Sequence, residues 1–277
     1  MISSMYTSYI CEEVKQGRFS SFEEGLAHYH ALGLKTAQVS DEFKYMPDMT
    51  AGELKAIFDR VGVKPVCHTV VCSVAAADPK RYEEGLANLR KCVEEAHILG
   101  CSMIMVVPNP ADIHDLSEKP EAAERIIKTL NMICDEAEPL GITITIENFS
   151  SQKAPFQTPE ECLHILKNVP KLKFVFDTGN FYWPKTDILA AWQELKEYTI
   201  HVHVKDWTLV DKEIGIPAPN EEYLCSVCPG KGVTQTAAFL ELIKKDGFKG
   251  SLVAEYNGFK PVESELDEMM EYYKKFA

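Results

Sequence analysis

The 277-residue chain has no apolar run long enough to cross a bilayer, and its first residues, Met1-Ile2-Ser3-Ser4-Met5, lack the basic segment and apolar core of a secretory leader. A cytoplasmic protein without a membrane partner is expected. Positive charge is scarce: 29 Lys and Arg against 42 Asp and Glu leave a net charge of −13, which repels polyanions and argues against nucleic acid as a partner. Small neutral or mildly anionic molecules fit that balance better. No second cysteine pair accompanies Cys225-Ser226-Val227-Cys228, and no strand-to-helix redox setting surrounds it. The nine cysteines are an odd number scattered through apolar segments, so reduced, buried thiols are expected. A glycine-rich phosphate fingerprint is missing after the first strand-like run, which weakens a doubly wound sheet.

What is present is a repeated punctuation. An amphipathic helical pattern, a glycine and a short β-rich run recur at Leu32-Gly33-Leu34, Val61-Gly62-Val63, Leu99-Gly100-Cys101, Leu140-Gly141-Ile142 and Asp246-Gly247-Phe248, with glycine at the helix C-cap. Helix starts are marked by Ser20-Ser21-Phe22-Glu23-Glu24, Thr50-Ala51-Gly52-Glu53 and Thr158-Pro159-Glu160-Glu161, and by Asp78-Pro79. Strands are expected near Ile2–Thr7, Lys35–Val39, Pro65–Val70, Met103–Val107, Ile142–Glu147, Phe174–Asp177, Ile200–Lys205 and Leu252–Glu255. Helices are expected near 21–32, 51–61, 79–98, 120–138, 159–168, 186–197, 234–245 and 264–275. Strict alternation through residues 1–277 predicts an α/β fold, a single-domain (β/α)8 TIM barrel.

The segment Ile200-His201-Val202-His203-Val204-Lys205 alternates an apolar face with an ionisable one. Charge inside a barrel is tolerated when paired or bound to metal. Three other strands end in a carboxylate: Glu147 after Thr143 and Thr145 on the inward face, Asp177 after Val175, and Glu255 after Val253. All four ends belong to the C-terminal mouth, where barrel enzymes work. Three carboxylates crowded there repel one another unless protons or a cation intervene. Glu147, Asp177, His203 and Glu255 form a mainly oxygen donor set for one divalent metal ion, manganese first, with magnesium, cobalt or zinc as alternatives.

The motifs Ile146-Glu147-Asn148, Phe176-Asp177-Thr178-Gly179-Asn180, His203-Val204-Lys205-Asp206 and Val253-Ala254-Glu255, with Pro229-Gly230-Lys231-Gly232, resemble the xylose isomerase-like TIM-barrel superfamily over essentially the full chain. Within it the likeness is to sugar (phosphate) isomerases and epimerases. The resemblance implies a single metal on these four residues, with Glu147 and Glu255 also acting as acid/base catalysts on a small sugar or sugar phosphate through a metal-stabilised enediolate. Asn180, Leu209 and Lys153 stand where ketose 3-epimerases carry His, Arg and an acidic residue, and His-x-Lys-Asp is shared with inosose dehydratases, so an inosose-dehydratase-type lyase is the alternative. An endonuclease IV-like phosphodiesterase would need more strand-end histidines, whereas His28, His30, His97 and His164 fall on helical patterns. A sugar-binding barrel without turnover is a further reading.

Lys205, His68, Asn180 and Asn148 are candidate substrate-binding residues. An ion pair with Asp206 or a nearby carboxylate competes for Lys205, a backbone-bonded core role for His68, and turn, capping or ligand-orienting roles for the two asparagines. His201, deeper on its strand, is expected in the barrel core. Gly230-Lys231-Gly232 could offer amides to a phosphate or merely turn the chain. Residues 207–229 are long for a strand-to-helix connection, which suggests a lid or an oligomer contact, and a homo-oligomer is compatible with the sequence.

Overall fold

The computed structural model describes residues 1–40, 42–256 and 263–276. Eight parallel strands close into a barrel: β1 (Ile2–Tyr6), β2 (Thr36–Val39), β3 (Lys64–Cys72), β4 (Met103–Pro108), β5 (Thr143–Glu147), β6 (Lys173–Asp177), β7 (Thr199–Val204) and β11 (Ser251–Ala254), with β11 sealing β7 to β1. A separate antiparallel sheet of β8 (Asp206–Leu209), β9 (Ile216–Pro217) and β10 (Tyr223–Val227) occupies most of the long connection after β7. The helices among the described residues are α1 (Ser8–Lys15), α2 (Phe22–Ala31), α3 (Glu42–Tyr45), α4 (Ala51–Val61), α5 (Pro79–Leu99), α6 (Lys119–Ala137), α7 (Pro159–Asn168), α8 (Ile188–Leu195), α9 (Thr236–Lys245) and α10 (Glu263–Tyr273). No described helix is long and apolar enough to cross a membrane.

Local chemistry sets these boundaries. Thr50 with Glu53 and Thr158 with Glu161 form reciprocal capping boxes, while Ser21 and Asp78 accept from Glu24 N and Arg81 N, satisfying first-turn amides that have no helical partner. The five punctuating glycines all have positive φ, between 71° and 105°, and turn the chain from helix back to strand.

Strand alternation then sorts the two faces. Ile104, Ile144, Ile146, Phe176, Val202 and Val204 pack outward with the helices, whereas Cys67, Met105, Val107 and Val175 form a smaller cluster within the barrel. The inward face of β7 carries His201 and His203, both fully buried. The sequence expectation missed α1 and α3 and the small sheet, and placed the α9 start two residues early.

Candidate metal centre and active site

Parallel register brings the four strand ends to one level. Asp177 is opposite His203 across β6 and β7, Val253 is opposite His203 across β11 and β7, and Glu147 is opposite Val175 across β5 and β6. Glu255 follows β11 immediately. One ligand atom from each of Glu147, Asp177, His203 and Glu255 lies within 4.8 Å of the others. His203 Nδ1 is 3.1 Å from Glu147 Oε2, 2.8 Å from Glu255 Oε2 and 3.9 Å from Asp177 Oδ2.

A buried amide fixes which ring nitrogen faces that group. Gln38 donates from Nε2 to Tyr6 Oη (3.0 Å) and Thr69 Oγ1 (2.7 Å), so its Oε1 is the acceptor facing His201 Nε2 (2.8 Å) and His203 Nε2 (2.9 Å). Both histidines therefore carry a proton on Nε2, which leaves Nδ1 of His203 facing the carboxylates, where a second proton or a metal ion can satisfy it. Glu147 Oε2, Asp177 Oδ2 and His203 Nδ1 are buried in ion-pair contacts with one another and, for Asp177, with Lys205.

The cluster's charge calls for a cation. Three carboxylates beside one ammonium, that of Lys205, leave two negative charges, which a divalent ion would neutralise. In its absence the groups hold protons instead. Burial opposes charge on His203, yet Glu255 and Glu147 outweigh it and push the imidazole up to about 10. Burial, reinforced by Glu255 and Glu147 and opposed by Lys205, raises Asp177 to about 7. Burial would also raise Glu255, but Lys205 and His203 hold it well below the usual carboxylate range. The donor set thus fits a divalent metal, through three carboxylates and an Nδ1 lone pair.

The surrounding motifs hold these ligands in place. Asp177 Oδ1 accepts from Gly179 N (2.8 Å) and Asn180 N (2.7 Å), freeing Oδ2 for the group. Asn148 clamps the Asp177 backbone from both sides, donating to its carbonyl and accepting from its amide at 2.9 Å each. Asn180 donates to Asn148 O (2.9 Å) and accepts from Lys205 Nζ (3.1 Å). Lys205 reaches Asp177 Oδ2 at 2.9 Å and Glu255 Oε1 at 2.6 Å, which is the neighbouring-carboxylate pairing rather than a pair with Asp206. Its stem runs over Gly179, where a Cβ would come within 2.7 Å of Lys205 Cδ and of Trp207 Nε1. Only glycine leaves that room.

A cavity of ≈ 680 Å³ lies above, with Glu147, Glu255, Tyr6, Tyr9 and Phe149 on its wall. Its volume suits a small-molecule site. Lys205, Asn148 and Asn180 are not among its lining residues; they support the ligand group from behind. His68 does line it, but sits on the helix-facing side of β3, in register with the outward Ile104, and its Nδ1 is 3.1 Å from Thr69 O. The backbone-bonded reading of His68 describes that geometry. His201 is in the barrel core as expected.

Two residues escaped sequence reasoning. Gln38 is the hub that orients both histidines, and the signal was one amide on a short apolar strand. Tyr6 packs its ring edge against His203 at 5.3 Å.

Of the two readings of Gly230-Lys231-Gly232, the tight entry turn describes the structure. Its amides serve an internal anion: Gly230 N and Gly232 N donate to Asp206 Oδ2 at 2.8 and 3.1 Å, and Thr234 N to Oδ1 at 3.2 Å. Gly232 is pressed so close to Trp207 O that a Cβ would sit 2.3 Å away. A phosphate has no vacant amides there. Asp206→Ala should lower unfolding free energy by about 3 kcal/mol, since buried amides lose their acceptor; a denaturant titration showing less than about 1 kcal/mol would contradict this role. The small sheet of residues 206–227 is tied to the site as well, through Trp207 Nε1 to Gly179 O (3.0 Å) and Tyr182 Oη to Glu222 Oε2 (2.9 Å).

Fold and site together define a closed (β/α)8 barrel with a buried carboxylate–histidine group at its C-terminal mouth. The chain belongs to the xylose isomerase-like TIM-barrel family, whose sequence model matches residues 26–276. It is 25% identical over 236 residues to an inosose isomerase of Bacillus velezensis, covering 84% of this chain and 78% of that one. It is 22% identical over 258 residues to an inosose dehydratase of Lacticaseibacillus casei, covering 86% and 83%. Among solved structures, the IOLI protein with a bound zinc atom superposes with a TM-score of 0.77 at 20% identity, over 100% of this chain and 96% of that one.

Proposed function

We propose that this chain is a divalent-metal-dependent isomerase or epimerase of a small sugar or sugar phosphate. The observation that carries the reading is that, of the four clustered ligand residues, the two glutamates also reach the cavity wall. Relatives that act on inososes support a carbohydrate substrate. The oxygen-rich donor set favours manganese, with magnesium, cobalt or zinc able to replace it.

Bound there, a divalent ion supplies Lewis-acid polarisation of a substrate carbonyl and its neighbouring hydroxyl. Glu147 and Glu255 act on the carbon beside that carbonyl. One carboxylate removes the α-proton, leaving an enediolate, and a carboxyl group returns a proton to the same carbon from the other face or to the adjacent one. Return from the other face inverts a centre; return to the adjacent carbon moves the carbonyl. Glu147 and Glu255 both reach the cavity wall, so either can start as base. Lys205, Asn148 and Asn180 position the ligands.

The similarity to an inosose dehydratase favours a second reading, in which the same base removes the α-proton and a carboxyl group protonates the β-hydroxyl, which leaves as water. Incubating the manganese-loaded protein with a panel of ketoses, phosphoketoses and inososes in D₂O separates the two. Isomerase or epimerase chemistry predicts deuterium at the carbon next to the carbonyl without loss of mass as water. An ultraviolet-absorbing dehydrated product would support the lyase instead, and no exchange on any panel member would count against both.

A further inference from the structure

A second group of metal-type ligands lies on the same cavity, away from the four-residue centre. His68 on β3 meets Cys92 and Glu95 of α5, with one ligand atom of each within 4.8 Å of the others. Cys92 and Glu95 are three residues apart and share a helix face. All three line the cavity that Glu147 and Glu255 also line.

The protonation of His68 makes this more than a chance cluster. Its Nδ1 is 3.1 Å from the carbonyl oxygen of Thr69, which can only accept, so the ring proton belongs on Nδ1. Nε2 is then a lone pair. It is buried in a residue only 2% exposed, has no hydrogen-bond partner, and faces Glu95 Oε2 at 3.6 Å. The pair needs a positive centre, a proton on Nε2 or a metal ion, and His68 draws Glu95 below its ordinary value. Lys91 does not supply it, because its ammonium approaches the other oxygen, Oε1, at 3.2 Å from the solvent side. The Phe43 ring stacks at 6.4 Å and helps close the site.

We propose that His68 Nε2, Cys92 Sγ and Glu95 form a second cation site, thiophilic and suited to Zn²⁺. One nitrogen, one sulfur and one oxygen donor are a zinc set, and three protein ligands leave a fourth position for water or an anionic oxygen of a molecule in the cavity. Binding converts the Cys92 thiol to a metal thiolate, its proton passing to solvent. The ligands contract by roughly 1 Å to reach tetrahedral bond lengths. The two sites differ in kind: the deep centre has no sulfur donor, whereas this one does.

Cobalt titration of the metal-free, reduced protein tests this, because only a thiolate ligand gives intense near-ultraviolet sulfur-to-cobalt absorption. Two equivalents should bind, one with that band. Cys92→Ser should abolish the band and keep one equivalent; His68→Gln should weaken the band-forming step by at least about tenfold; Glu147→Gln should impair only the band-free equivalent. A titration without the band, or a band undiminished in Cys92→Ser or His68→Gln, would overturn the proposal and leave His68 and Glu95 as an ion pair. Loss of the band-free equivalent alone would bear on the deep centre and not on this one.

Discussion

Glu255→Gln is expected to lower turnover by about 10²–10⁴-fold, the range for losing a positioned acid or base, while the barrel stays folded. Glu255 combines three duties: its Oε2 faces His203 Nδ1 at 2.8 Å, its Oε1 pairs with Lys205 at 2.6 Å, and its side chain opens on the cavity. The amide keeps the shape but removes the charge, leaving the Lys205 ammonium with Asp177 as its remaining anionic partner. Glu147→Gln should give a loss of similar size, and the double variant far less than the product of the two, because residues that act as a unit are not additive. Rates on whichever sugar exchanges deuterium, with circular dichroism as the folding control, provide the measurement. A Glu255→Gln protein retaining more than about a tenth of wild-type turnover would remove this residue from the chemistry.

Metal affinity should fall steeply as pH falls. The metal-free His203 imidazole is pushed up to about 10, so below that pH a metal must displace a proton to reach Nδ1. Asp177 is raised to about 7, so a second proton competes below that value. Both groups have raised values and bind metal only when deprotonated, so apparent affinity weakens by about tenfold per pH unit between 10 and 7, and more steeply below. Chelator competition across this range reads the slope, and calorimetry in buffers of different ionisation heat should count about one proton released per metal near pH 8. Affinity independent of pH over that interval would show that His203 Nδ1 is not a ligand.

The parts legible in the sequence were those written in short range. Capping boxes, C-terminal glycines and period-two alternation are each encoded within a few residues, which is why the eight barrel strands and the inward set of Glu147, Asp177 and His203 were readable in advance. The first helix, Ser8–Lys15, lacks such a signal: its cap Thr7 has helical φ and ψ and no side-chain capping bond. The small sheet depends on Tyr223–Val227 finding Asp206–Leu209 across a long loop, a pairing no local pattern announces. Long-range partners were the other gap. Gln38 is recognisable as a hub only when β2 and β7 are brought into one barrel, and Gly230-Lys231-Gly232 reads as either a tight turn or a phosphate loop until Asp206 is seen to occupy its amides. Lys205 was ambiguous for the same reason, its carboxylate partners lying on β6 and just beyond β11.

The central claim is that Glu147, Asp177, His203 and Glu255 enclose one divalent ion at the barrel mouth. Anomalous diffraction from crystals of the manganese-loaded protein tests it directly. The account predicts an anomalous peak bounded by Glu147, Asp177, His203 Nδ1 and Glu255 at about 2.0–2.3 Å from each ligand atom, typical of nitrogen and oxygen donors. Manganese bound elsewhere with these four residues uncoordinated, or no manganese at saturating concentration, would contradict it.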